Sequence, residues 1–138
     1  MKEEKYHILI VDDNLEILEI LSEVLKAEGY QTACVSDANE ALTVYKSESI
    51  DLAIVDMLLP DRSGLELIKE MWKQDPALKM IAISGGGKLG PKGYLNMANR
   101  IGVEYTFPKP FDIPELIQTV KELLGNSDSP DDDRPEGD

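Results

Sequence analysis

Asp51–Gly64 reads DLAIVDMLLPDRSG. Leu52-Ala53-Ile54-Val55 is a short run, apolar on both faces, as a central parallel strand must be. It stops on a carboxylate, Asp56. The turn Pro60-Asp61-Arg62-Ser63 leads to Gly64. Beyond it Leu65, Leu67, Ile68, Met71 and Trp72 carry helical spacing to about Gln74, closed by Asp75-Pro76. Asp56 therefore stands at the carboxyl end of a buried strand, the edge at which open α/β sheets bind ligands. A lone strand-end aspartate is equally a solvated loop residue, so its neighbours have to decide.

Upstream, His7-Ile8-Leu9-Ile10-Val11 is a second continuous apolar run, and it ends on Asp12-Asp13. Asn14 caps a helix whose Leu15, Ile17, Leu18, Leu21, Val24 and Leu25 form one broad apolar face, closed by Gly29. Gln31–Val35 is a short strand with a polar start, suited to a sheet edge. Asp37-Ala38-Asn39-Glu40 reads as a capping box, opening a helix with Ala41, Leu42 and Tyr45 inward. Downstream, Lys79–Ile83 is the fourth strand, ending on Ser84 and the glycines Gly85 to Gly87. A helix from about Pro91 to Arg100 follows, with Pro in the first turn. Glu104–Phe107 is the fifth strand, running into Pro108-Lys109-Pro110-Phe111. A last helix is capped by Asp112 with Glu115 and stopped by Gly125.

Five strands alternating with five helices predict an α/β domain with a parallel sheet, since every crossover contains a helix. Short right-handed crossovers favour a doubly wound, flavodoxin-like sheet of order 2-1-3-4-5 with helices on both faces. Residues 1–125 make the domain. Residues 126–138, with six acidic side chains against Arg134 and no apolar periodicity, read as a disordered, solubilising tail.

Composition excludes several functions. The chain has 138 residues, 42% hydrophobic and 30% charged, ordinary for one globular domain. A net charge of −13 argues against direct contact with nucleic acid, whose phosphates need a positive face. No apolar run approaches a membrane span, and the run after His7 is too short for a signal peptide, so cytoplasmic residence is expected. The single cysteine, Cys34, forms no internal disulfide and reads as a small buried hydrophobe.

In the expected topology Asp12 and Asp13 end strand one, Asp56 ends strand three, Ser84 ends strand four and Lys109 follows strand five. Three carboxylates, a hydroxyl and an ammonium then share one rim. A unit-charge pair 4 Å apart costs about 4 kcal/mol at an effective dielectric of about 20. Only nearby positive charge makes such a cluster tolerable. Lys109 supplies one, and a divalent cation would supply the rest. An all-oxygen set without His or Cys suits Mg²⁺ or Mn²⁺. An ion, a lysine and a hydroxyl are the parts that hold phosphoryl oxygens, with Asp56 placed as a nucleophile that forms an aspartyl phosphate.

These residues resemble the receiver domain of bacterial two-component response regulators: IVDD at the first strand end, IVDMLLPDRSG at the third, AIS at the fourth and KPF after the fifth. The resemblance covers about residues 5 to 124. It implies Asp56 as phospho-acceptor, and Mg²⁺ held directly by Asp13, Asp56 and the Leu58 carbonyl, with Asp12 acting largely through water. Ser84 would hydrogen-bond the phosphoryl group, Lys109 would pair with it, and the Lys109-Pro110 bond would be cis. A sensor histidine kinase or histidine phosphotransfer protein would be the donor, and a downstream protein the target. The chain would catalyse only its own phosphorylation and dephosphorylation. The tail carries no apolar segment, which favours a stand-alone, chemotaxis-regulator-like receiver over a piece cut from a longer chain.

One departure concerns readout. Receivers usually carry Tyr or Phe three residues before the lysine as a switch, and here that position is Thr106. Tyr105 and Phe107 flank it, but alternation points them to the other face. Glycines at 85 to 87 then make the loop 85–90 the expected moving element. SGGGKLG is not a P-loop, since Ala82 and Leu89 stand where Gly and Ser or Thr are required. Two rival readings are a Mg²⁺-dependent aspartyl-phosphate phosphohydrolase and a phosphorylation-independent binding module. The first lacks the acid/base Asp two residues after the nucleophile, where Leu58 stands, and has no cap domain. The second is kept open by Thr106. His7, the only histidine, lies in strand one as a packed or edge residue, so the phosphate must come from a partner.

Overall fold

A parallel strand paired on both sides can bury both of its faces, and the most apolar runs of this chain occupy such positions. The computed structural model describes residues 5–85 and 90–125. Its strands are β1 (His7–Val11), β2 (Gln31–Val35), β3 (Leu52–Asp56), β4 (Lys79–Ser84) and β5 (Tyr105–Pro108). They form one parallel sheet of order β2-β1-β3-β4-β5, as expected. Every residue of β3 is buried, while the edge strands β2 and β5 are only partly covered.

The helices are α1 (Leu15–Ala27), α2 (Ala38–Ser47), α3 (Gly64–Gln74), α4 (Gly90–Arg100) and α5 (Ile113–Leu124). Alternation along the strands divides the core in two. Leu9, Val11, Ala53, Val55, Met80 and Ala82 face α2, α3 and α4. Ile8, Ile10, Leu52, Ile54, Ile81 and Ile83 face α1 and α5. Four helices start on side-chain caps, Asn14, Asp37, Ser63 and Asp112, each accepting from an N–H of the first turn. The caps fix where each helix leaves the carboxyl edge of the sheet, and that edge is where the acidic residues collect.

Three expectations need correction. Cys34 is exposed rather than buried: β2 is an edge strand that α1 only partly covers, so the thiol lies 3.8 Å from the Leu18 carbonyl with solvent on its other side. Leu15 is 71% exposed, on the outer side of a first turn whose Leu18 is buried and whose Ile17 packs on the core. The Asp37 box closes one residue early, since Glu40 Oε1 accepts from Ser36 N–H at 3.2 Å and not from Asp37. Boundaries shift slightly: β5 begins at Tyr105, and α4 begins at Gly90, whose φ is +74°. Residues 86–89 of the glycine loop and the tail 126–138 lie outside the described residues. Among the described residues no helix is long and apolar enough to cross a membrane.

Candidate functional site

Each side chain of the rim is placed by backbone geometry that the sequence sets locally. Asp12 follows β1 directly; its N–H donates to the Val35 carbonyl at 3.2 Å, and its Oδ1 accepts from Asn14 N–H at 2.9 Å. That turn buries Asp12 completely and leaves the next residue, Asp13, exposed. Asp56 is the last residue of β3 and is 3% exposed; its Oδ1 accepts from Leu58 N–H at 3.0 Å. Gly64 lets the chain return past this point, because a Cβ there would collide with the Asp56 carbonyl oxygen and stand 2.7 Å from Met57 Cα. Carboxylate oxygens of Asp12, Asp13 and Asp56 all lie within 4.8 Å of one another.

Lys109 reaches this cluster from beyond β5. Its backbone N–H donates to the Ser84 carbonyl at 2.8 Å, and the Lys109-Pro110 bond is cis, as expected. Its Nζ donates to Asp56 Oδ2 at 2.9 Å and stands 2.8 Å from Asp12 Oδ2. The bond to Asp56 is aligned, whereas the approach to Asp12 is a charge contact without hydrogen-bond geometry. Gly85 makes room for the lysine stem: a Cβ there would lie 2.8 Å from Lys109 Cδ.

The electrostatics follow from this crowding. Burial pushes the Asp56 carboxyl above its ordinary value, and the Asp12 charge adds to that; the Leu58 N–H and Lys109 oppose it without cancelling it. Burial alone would lower Lys109, but the Asp12 and Asp56 carboxylates outweigh it and hold the ammonium above its usual range. One cation is thus shared by two buried acids with a third beside them. Ser84 Oγ is fully buried and has no hydrogen-bond partner among the described residues. A buried hydroxyl without a partner normally costs free energy, so its place beside the acidic cluster suits a ligand oxygen.

Thr106 is half-buried, level with Ala82, while Tyr105 and Phe107 pack on the α1 and α5 side. His7 sits at the opposite end of β1, with Nε2 3.3 Å from Glu48 Oε1. One contact had no sequence signal: both oxygens of Asp61 accept from the first N–H groups of α2, Ala38 at 2.9 Å and Asn39 at 3.0 Å. In the sequence Asp61 is simply a polar residue after a proline in a turn.

Residues 8–121 match the response regulator receiver domain. The chain belongs to that family. The receiver is 36% identical over 117 residues to sporulation initiation phosphotransferase F of Bacillus subtilis, covering 85% of this chain and 92% of the relative. It is 31% identical over 120 residues to the polar-differentiation response regulator DivK of Brucella anthropi, covering 87% and 97%. Among solved structures, response regulator protein TrrA of Thermotoga maritima, in complex with Mg(2+)-BeF, superposes with a TM-score of 0.75 at 33% identity, covering 86% of this chain and 99% of that one. Receivers are phosphorylation-based signalling modules that interact with histidine kinases or phosphotransfer proteins and with downstream targets. The acidic cluster of this receiver is one that can hold a metal ion.

Proposed function

We propose that Asp56 is the phospho-acceptor of a cytoplasmic two-component or phosphorelay receiver. The observation that carries this reading is the convergence of Asp12, Asp13 and Asp56 with Lys109 at one strand edge, beside a buried Ser84 hydroxyl unpartnered among the described residues. An Asp56 carboxylate oxygen attacks phosphorus, a P–O bond forms, and the bond to the donor's nitrogen breaks, with the electron pair leaving on the donor imidazole. Lys109 follows the charge from carboxylate to phosphoryl oxygen, and Ser84 Oγ donates to another oxygen. The donor is a partner's phosphohistidine: the chain's only histidine lies at the far end of β1, about 16 Å away at roughly 3.3 Å per strand residue.

The residues fit a Mg²⁺ ion, since the donor set is all oxygen and carries more negative charge than one lysine offsets. Asp13, Asp56 and the Leu58 carbonyl would hold it, with Asp12 acting through water. Its chemistry is to neutralise charge on the phosphoryl oxygens as they approach the carboxylates. The Mg(2+)-BeF held by the Thermotoga maritima relative supports this reading. Beyond its own phosphorylation and dephosphorylation the domain turns over no substrate.

Intact-mass spectrometry after incubation with acetyl phosphate and Mg²⁺ tests it. The wild type should gain one phosphoryl group and Asp56→Asn none. Equal labelling of the two would remove Asp56 from the reaction.

A further inference from the structure

The loop between β3 and α3 is held at its neck and at its tip by different contacts. At the neck Gly64 N–H donates to the Met57 carbonyl at 2.9 Å, and Leu58 bridges Ser63. Leu58 also donates its N–H to Asp56 Oδ1. At the tip Pro60 narrows the backbone choices of Leu59, and the next residue, Asp61, reaches across to α2. Its two oxygens take the N–H groups of Ala38 and Asn39 separately, in a bidentate grip on the helix's positive end.

Asp37, the cap of α2, already takes the Glu40 N–H at 2.8 Å, and Glu40 takes the Ser36 N–H. Asp37 thus serves Glu40 and, through its carbonyl, Ala41, while Asp61 takes the two remaining N–H groups of the first turn. The same contact ties the loop tip to a neighbouring element. Asp61 is exposed, and the Ala38 amide, helped by Asn39, keeps its carboxyl below the ordinary range, so it stays ionised at neutral pH.

We propose that Asp61 is a positioning residue of the phosphorylation site: by anchoring the loop tip on α2 it sets the tilt of the neck, and with it where the Leu58 carbonyl stands relative to Asp13 and Asp56. The inference rests on the reading of Leu58 as a metal-facing carbonyl. A group that orients a metal ligand without touching the metal typically governs affinity rather than stability.

The test compares Asp61→Ala, Asp61→Asn and Asp37→Ala with wild type by Mg²⁺ calorimetry, thermal melting and amide hydrogen exchange. Asp37→Ala removes a cap of the same helix without releasing the loop. Asp61→Ala should weaken Mg²⁺ binding roughly 10-fold, the lower end of what losing a ligand-supporting group costs. Asp61→Asn, which keeps one acceptor oxygen, should fall between, and Asp37→Ala should lower the melting temperature at unchanged Mg²⁺ affinity. In metal-free protein Asp61→Ala should speed exchange at Leu58 and Gly64 as well as at Ala38 and Asn39. Wild-type Mg²⁺ affinity in Asp61→Ala, or an equal loss in Asp37→Ala, overturns the proposal. Should the wild type itself bind no Mg²⁺, the reading of the metal site fails. The exchange data then decide Asp61 alone, and unchanged rates at Leu58 and Gly64 refute the anchoring role.

Discussion

The two halves of the site rim are built differently. On the β1–β3 side the hydrogen bonds concentrate: Asp12 Oδ1 to Asn14, Asp56 Oδ1 to Leu58, Asp56 Oδ2 to Lys109, and the loop tip to α2 through Asp61, with Asp12 Oδ2 facing the Lys109 charge. On the β4–β5 side Ser84 Oγ has no partner among the described residues, Gly85 is the residue over which Lys109 lies, and Thr106 presents a small side chain level with Ala82. One half is a preorganised acceptor of charge. The other keeps a free donor and has little bulk to displace. A phosphoryl group arriving between them would find its anchor on the first side and its freedom to rearrange on the second.

Removing the link between the halves should have the largest effect. Lys109→Met leaves Asp12 and Asp56 facing each other without a shared cation. Breaking a fully buried pair costs about 3–5 kcal/mol; because the lysine is partly exposed, a loss of about 2 kcal/mol is expected. Urea unfolding measures it, and added Mg²⁺ should recover part of the loss through binding to the native state. A variant as stable as wild type would mean that the two acids do not repel.

A smaller effect tests the committed side alone. Asp13→Asn removes an exposed charge from the cluster and should raise the metal-free melting temperature by about 2 °C, near roughly 0.5 kcal/mol. The same change should blunt the rise that Mg²⁺ produces in the wild type. A lower metal-free melt would contradict the repulsion.

The contrast also predicts where phosphorylation is felt. With beryllofluoride as a phosphoryl mimic, hydrogen exchange should change at Gly85 and across the start of α4, residues 90–95, and little at Asn14 or Ala38. Changes confined to β5 and α5 would place the movement elsewhere.

The smallest effect is a dependence on pH. Asp61 has a carboxyl depressed below its ordinary value of 3.8, so the stability it contributes is present above that value and is lost as pH falls through the folded-state value. Asp37 and Glu40 share the same helix end, so the informative quantity is the difference between wild type and Asp61→Asn. That difference should be constant from pH 7 to about pH 5 and shrink progressively as pH falls through 3.8 and below. A difference that shrinks near neutral pH would separate Asp61 from the amides of α2.

Much of this was legible in one dimension. Alternating apolar runs and helical stripes determined the five strands, the five helices and the strand order, because a doubly wound sheet admits few arrangements of such elements. The residues ending those strands determined the members of the acidic rim, since every parallel strand delivers its last residue to the same edge. The tertiary structure alone decided which of Asp12 and Asp13 is buried, that Lys109 serves two acids at once, and that Ser84 Oγ is left without a partner among the described residues. It also decided that Cys34 and Leu15 face solvent and that Asp61 anchors on α2. Periodicity reports the side of an element on which a residue lies. It carries no information about whether another element covers that side, and a contact between residues 23 positions apart, such as Ala38 with Asp61, leaves no local trace.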